Sequence, residues 1–205
     1  MAKSTSKKKA LRIAFIGAGG IAGAHMRHLS EMPDVELVAL ADLSMATMKK
    51  HADVYSIPEA NLFTDWKEML EAVKPDAVSV CTPNGLHAPA SIDALKAGAH
   101  VIVEKPMAMN AKEAQDMIDA AKKAKKKLVI GFQYRYSPKT QLIHDQISKG
   151  KFGEIMYVRC QALRRRGIPN WGVFGRKDLQ GGGPMIDIGV HCLEMAHYAI
   201  GSPRP

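Results

Sequence analysis

Three side chains in this 205-residue sequence have the types that proton and hydride chemistry requires: Lys105, Asp187 and His191. Lys105 is an ammonium presented between Glu104 and the ring-locked Pro106, directly after a short apolar run. Asp187 and His191 stand four apart, so on a helix their side chains share one face. A carboxylate beside an imidazole can fix its tautomer and support the imidazolium that forms when the ring accepts a proton. Oxidation of an alcohol by hydride loss needs a base for the hydroxyl proton and a cation near the developing alkoxide. His191 suits the first role and Lys105 the second, with Asp187 as orienter. The same spacing also describes a solvated lysine and a surface ion pair, so the surrounding elements have to decide. Asp187, His191 and Glu194 fall on one helical face too, but HCLEMAH lacks the H-E-x-x-H order and no metal is expected.

The stretch that would position this chemistry is LRIAFIGAGGIAGAHMRHL, residues 11–29. A β-branched, apolar run over 11–16 stops at Gly17, and Gly17-Ala18-Gly19-Gly20-Ile21-Ala22 leads into an amphipathic pattern. Strand, glycine turn and helix start in that order form the G-x-G-x-x-G/A dinucleotide-binding fingerprint. Gly17 permits the sharp turn, Gly19 lets backbone approach a pyrophosphate, and Ala22 is small enough for close helix–strand packing. The first-turn N–H groups and the positive end of the helix dipole then face the phosphates. Residues 35–41 (VELVALA) read as a strand buried on both faces. It delivers Asp42 at the interval expected of a ribose-hydroxyl acceptor, although a helix N-cap is a second reading of the same residue.

The rest of the chain repeats this alternation. A helix is expected over 43–52, a short strand over 61–64, a helix over 65–73, and a strand over 76–81. The last of these runs into Thr82-Pro83-Asn84-Gly85-Leu86-His87, a loop at a strand's carboxyl end, where parallel sheets place ligands. A helix over 88–97 closes on Gly98, a strand over 99–103 delivers Glu104-Lys105-Pro106, and Asn110 caps a helix running to about residue 125. With a sixth strand over 128–132, the fold class is α/β, a Rossmann-type doubly wound parallel sheet over 10–132. It is followed by an incomplete α+β substrate and oligomerisation domain over 133–205. There a helix is expected over 137–148, a strand over 154–163, a long Gly- and Arg-rich loop, and a helix from Pro184 to residue 200.

Composition excludes several classes. A hydrophobic fraction of 46% and a charged fraction of 24% describe an ordinary globular protein. No apolar run approaches the ~18 residues of a membrane span, and the N-terminus (residues 1–9, read as a disordered basic tail) lacks the apolar core of a secretory signal. Cys81, Cys160 and Cys192 are far apart, so neither a disulfide framework nor a zinc ribbon is expected, and a cytoplasmic setting fits. The net charge of +9 resides in the tail, in 122–127 and in Arg164-Arg165-Arg166. Without interleaved aromatics it points to an anionic dinucleotide rather than to nucleic acid.

In order, the glycine turn, Thr82-Pro83-Asn84-x-x-His87, Glu104-Lys105-Pro106, Gly181-Gly182-Gly183 and Asp187-x-Gly189-x-His191 strongly resemble the Gfo/Idh/MocA family of sugar and inositol dehydrogenases. The resemblance implies a two-domain NAD(P)-dependent oxidoreductase acting on a ring hydroxyl of a sugar or cyclitol, a homo-oligomer in its full-length form. Gly17, Gly19, Gly20, Ile21 and Ala22 would hold the pyrophosphate of NAD, with NADP disfavoured, and Asp42 the ribose. Thr82, Pro83, Asn84, His87, Glu104, Lys105, Gln133 and Arg135 would border the cofactor. Arg164, Arg165, Trp171, Asp187 and His191 would border substrate, with Lys105, Asp187 and His191 catalytic. Two departures accompany this pattern: Glu194 stands where many relatives have Asp, and the chain ends well short of the family's large open sheet. The chain is therefore expected to be C-terminally truncated, with the 205 residues binding NAD weakly and not turning over. Two other functions fit the motifs: a glycoside-cleaving relative that reduces and re-oxidises NAD within each turnover, and an NAD-sensing regulator without chemistry. A sensor has no need of the three catalytic side chains.

Overall fold

The computed structural model describes residues 9–163, 165–167, 169 and 172–201. Apolar runs too short for helices form six parallel strands: β1 (Leu11–Ile16), β2 (Val35–Ala41), β3 (Leu62–Phe63), β4 (Ala77–Val80), β5 (His100–Val103) and β6 (Leu128–Ile130). Their spatial order is β3-β2-β1-β4-β5-β6. The order reverses direction between β1 and β4, and the crevice at the carboxyl ends of those two strands is where such sheets bind ligands.

Helices α1 (Gly20–Ser30), α2 (Met45–Tyr55), α3 (Trp66–Val73), α4 (His87–Lys96) and α5 (Ala111–Ala124) carry the chain between strands. They cover both faces of the sheet. On one side Phe15, Met26, Leu40 and Met48 pack between sheet and helices α1 and α2. On the other, Met69, Val78, Leu95, Val101 and Met117 form a second core. Local chemistry sets the helix ends. Ser44, Asp65 and Asn110 accept N-terminal backbone N–H groups of α2, α3 and α5, and Gly98, at φ +90°, follows the end of α4. The N-cap of α2 is thus Ser44, and Asp42 is left for another purpose.

Past β6 the chain forms a single turn of 3-10 helix, Gln133–Tyr136, then α6 (Pro138–Ser148), the short α7 (Lys177–Gln180) and α8 (Val190–Ile200). Two expectations are corrected here. Residues 154–163 pair with no strand, and Met156, Tyr157 and Leu163 are largely exposed. Alternation specifies a strand only where a neighbour exists to bond it, and none does among the described residues. The last helix does not run unbroken from Pro184: Met185–Gly189 is one turn of π-helix, and α-helix begins at Val190. Such turns are frequent at functional sites. No helix among the described residues is long and apolar enough to cross a membrane.

Candidate active site

The glycine turn forms the floor of the crevice. Gly17 has φ +90°, and a Cβ there would lie 2.6 Å from the Cys81 carbonyl oxygen, so the β1 turn passes hard against the end of β4. At Gly19 and Gly20 the reverse holds: a Cβ would meet nothing within 4 Å, leaving open space above the backbone. Gly19 is the N-cap of α1, with no side-chain cap and no acidic residue in the first turn. The amide groups there are therefore free to bind an anion, assisted by the dipole. Ala22 is buried against the sheet, whereas Ile21 is exposed at the mouth. At the end of β2, Asp42 accepts from the Ala18 N–H at 2.7 Å and from the Ser44 N–H at 2.8 Å. Each carboxylate oxygen keeps acceptor capacity for hydroxyl groups.

Two of the catalytic candidates meet: Lys105, just past the end of β5, and Asp187 in the π-turn. Lys105 Nζ donates to the Asp187 carbonyl at 2.7 Å and to Asp187 Oδ1 at 3.0 Å. The ammonium is 18% exposed and the carboxylate 31%. The π-turn brings main chain and side chain of one residue onto the same cation. This corrects the expected role of Asp187, which holds Lys105 and makes no hydrogen bond to His191. The widened turn breaks the helical spacing on which the orienter reading rested. His191, 6% exposed, lies edge-on to Tyr134 and Phe132. Its Nδ1 is buried with no hydrogen-bond partner among the described residues. Burial first, then the nearby Lys105 charge, lower its pKa below the ordinary 6.5, so at neutral pH the ring is an uncharged proton acceptor.

Other expected site residues divide by placement. The buried Thr82 hydroxyl lacks a partner among the described residues, and Asn84 donates to the Gln180 carbonyl at 2.9 Å. Asn84, Arg165, Arg166, Gln180 and Asp187 line a cavity of about 690 Å³. Pro83 leads into the turn beside it. His87 is corrected: at 1% exposure it lies behind the loop, its ring nitrogens 2.7 Å from the Pro106 carbonyl and 2.9 Å from that of Thr82. It braces the two loops rather than presenting an edge to a ligand. Glu104 faces inward, Oε1 3.0 Å from His25 Nε2 on α1. Arg135 is taken by Glu194, with Nε 2.7 Å from Oε1, and lies over the Tyr198 ring, joining the 3-10 turn to α8. Gln133 is exposed on that turn, while Arg164 and Trp171 lie outside the described residues. His25 was missed by sequence reasoning. Its one signal is a polar residue three after Ala22 and one before Met26, on the buried stripe of α1.

Residues 11–132 match the model of an oxidoreductase family with an NAD-binding Rossmann fold, and residues 140–204 match the GFO/IDH/MocA C-terminal domain. The chain belongs to the GFO/IDH/MocA family. Within it, the chain is 44% identical over 202 residues to D-glucoside 3-dehydrogenase of Escherichia coli strain K12, covering 98% of this chain and 57% of that protein. The crystal structure of an oxidoreductase domain protein from Kribbella flavida superposes with a TM-score of 0.86 at 30% identity, over 95% of this chain and 55% of that one. Levoglucosan dehydrogenase in complex with NADH gives 0.82 at 27% identity, over 94% of this chain and 54% of that one. The chain spans about half the length of the curated GFO/IDH/MocA relatives it matches.

Proposed function

We propose that the chain carries the cofactor half and the catalytic side chains of an NAD-dependent oxidoreductase that interconverts a ring hydroxyl of a sugar or cyclitol with the ketone. The observation that carries this reading is the Lys105–Asp187 pair, whose carboxylate residue lines the cavity of a dinucleotide fold and whose ammonium is near enough to the uncharged His191 to lower its pKa. The open backbone above Gly19 and Gly20, the uncapped α1 terminus, the acceptor pair of Asp42 and the orphaned Thr82 hydroxyl fit a dinucleotide. Gly17, Gly19 and Gly20 would hold its pyrophosphate and Asp42 its ribose. Bound NAD supplies the hydride acceptor.

The chain's own residues manage the proton and the charge. His191 takes the substrate hydroxyl proton. The Lys105 ammonium faces the oxygen as negative charge develops, in a partly buried site where that interaction is stronger than in water. Asp187 keeps the ammonium in place by two hydrogen bonds. The names of the relatives support a carbohydrate substrate, and the cavity lined by Asn84 and Asp187 falls within the usual volume of small-molecule sites. Incubating a form with the full length of the family with NAD and a panel of glucosides, free sugars and inositols tests this reading. Net NADH accumulation supports it, whereas sugar release without NADH points to glycoside cleavage instead.

Cofactor choice follows from Asp42. A 2′-phosphate placed against this carboxylate meets like charge in a half-buried site, a cost on the order of several kcal/mol. Fluorescence titration of the chain is expected to show NAD binding at least about tenfold tighter than NADP. Equal or tighter NADP binding contradicts the role given to Asp42.

A further inference from the structure

The sheet buries one polar network that the chemistry above does not use. His25, on the helix that starts at the glycine turn, places Nδ1 2.9 Å from Ser79 Oγ and Nε2 3.0 Å from Glu104 Oε1. Cys81 Sγ lies 3.8 Å from Nδ1. The second Glu104 oxygen accepts the Lys105 backbone N–H at 3.2 Å. The space for this carboxylate exists because residue 131 is glycine: a Cβ there would lie 2.9 Å from Glu104 Oε1. Glu104 is therefore held by one hydrogen bond at each oxygen, in space that Gly131 leaves open, and the next residue is Lys105.

We propose that His25 is a positioning residue, which clamps Glu104 from the cofactor helix and so sets the backbone from which Lys105 reaches Asp187. This rests on the dehydrogenase reading for its catalytic consequence. A buried carboxylate without a partner is costly, so Glu104 needs either a proton or a cation. His25 is the titratable group that supplies one. The groups facing its ring are Ser79 from β4, Cys81 just past the end of that strand, and Glu104 beyond β5. Cys81 and then Glu104 raise its pKa from 6.5 to about 10 against the opposing effect of burial, and of the two Glu104 is the closer, at 3.0 Å against 3.8 Å. An imidazolium donates from both nitrogens, one proton to Glu104 and one to Ser79. The clamp spans α1, β4 and the β5 loop, and it couples the helix that would bind the pyrophosphate to the loop that carries the ammonium.

Two arms test the clamp. In the 205-residue chain, ¹⁵N spectra of the His25 ring at neutral pH are expected to show both nitrogens protonated, and Glu104→Gln to return the ring to a neutral tautomer without altering the remaining amide spectrum. A neutral ring in the unmodified chain, or no change in Glu104→Gln, overturns the pairing whatever the activity. In a form with the full length of the family, His25→Ala and Gly131→Ala are each expected to lower kcat about ten- to a hundredfold, with KM for NAD within about threefold. His25→Gln, which keeps one N–H for Glu104, is expected to recover part of that loss. The double variant His25→Ala/Glu104→Gln should be no slower than the slower single one, because both remove one interaction. Unchanged kcat in His25→Ala, or equal losses in kcat and NAD affinity, overturns the positioning role. If the unsubstituted full-length form turns over no carbohydrate, the dehydrogenase reading fails instead, and the ring spectra still decide the pairing.

Discussion

Replacing Lys105 with alanine is expected to lower kcat by about 10²- to 10⁴-fold while leaving the NAD dissociation constant nearly unchanged. The ammonium is mostly buried, and both its observed hydrogen bonds go to Asp187. Its remaining donor is available to a substrate oxygen. Losing it removes a cation where alkoxide charge develops, an interaction made mainly in the transition state, so the loss falls on kcat. The α1 terminus and Asp42 lie on other elements and keep their geometry. Stability should change little, since the Asp187 carboxylate is 31% exposed and can be hydrated once its partner is gone. Lys105→Arg restores the charge but not the reach or shape, and is expected to recover only part of the rate. Steady-state kinetics in a form with the full length of the family, paired with NAD titration, separate these effects. Equal losses in turnover and NAD affinity would assign Lys105 to cofactor binding.

Substituting His191 by alanine is expected to cost a similar factor, about 10²- to 10⁴-fold in kcat, by removing the base. The pH dependence distinguishes this role from a packing role against Tyr134. The active form is the neutral ring, so kcat/KM rises with pH through the His191 pKa and is level above it. Burial and Lys105 hold that pKa below 6.5, which places the acid limb on the acid side of that value. Lys105→Ala removes a positive neighbour, stabilises the imidazolium and raises the His191 pKa. The acid limb of its residual activity therefore moves to higher pH. An acid limb unmoved by Lys105→Ala would show that another group takes the proton.

Much of the cofactor fold was legible because its signals are local. Residues 11–16 and 35–41 are largely apolar runs whose carboxyl halves, 13–16 and 38–41, are buried, and they are bounded by Gly17 and Asp42, so the strands end where the composition changes. Asn110 with Glu113, and Ser137 with Pro138, announce helix starts through bonds made within four residues. What failed depends on distant partners. Residues 154–163 alternate like a strand, but pairing needs a neighbour. The apolar rhythm after Pro184 is continuous, so nothing in it marks the π-turn, and a spacing of four suggested that Asp187 serves His191. In the folded chain the carboxylate meets an ammonium 82 residues away. His87 looked like a ligand because it lies in a loop motif, whereas its ring fills the space between two carbonyl groups. Glu104 looked like part of a cofactor motif, and its partner His25, on another helix, carries no motif at all.

The proposed reaction is hydride transfer between a ring carbinol and NAD at the site built by Lys105, Asp187 and His191. The most direct test uses a carbohydrate substrate deuterated at the reacting carbinol carbon, in a form with the full length of the family, with mass spectrometry of the nicotinamide product. One deuterium in each reduced cofactor, with the proton of the hydroxyl lost to solvent, is the expected result. Bound NAD with substrate consumed, but no deuterium in the cofactor, would contradict it.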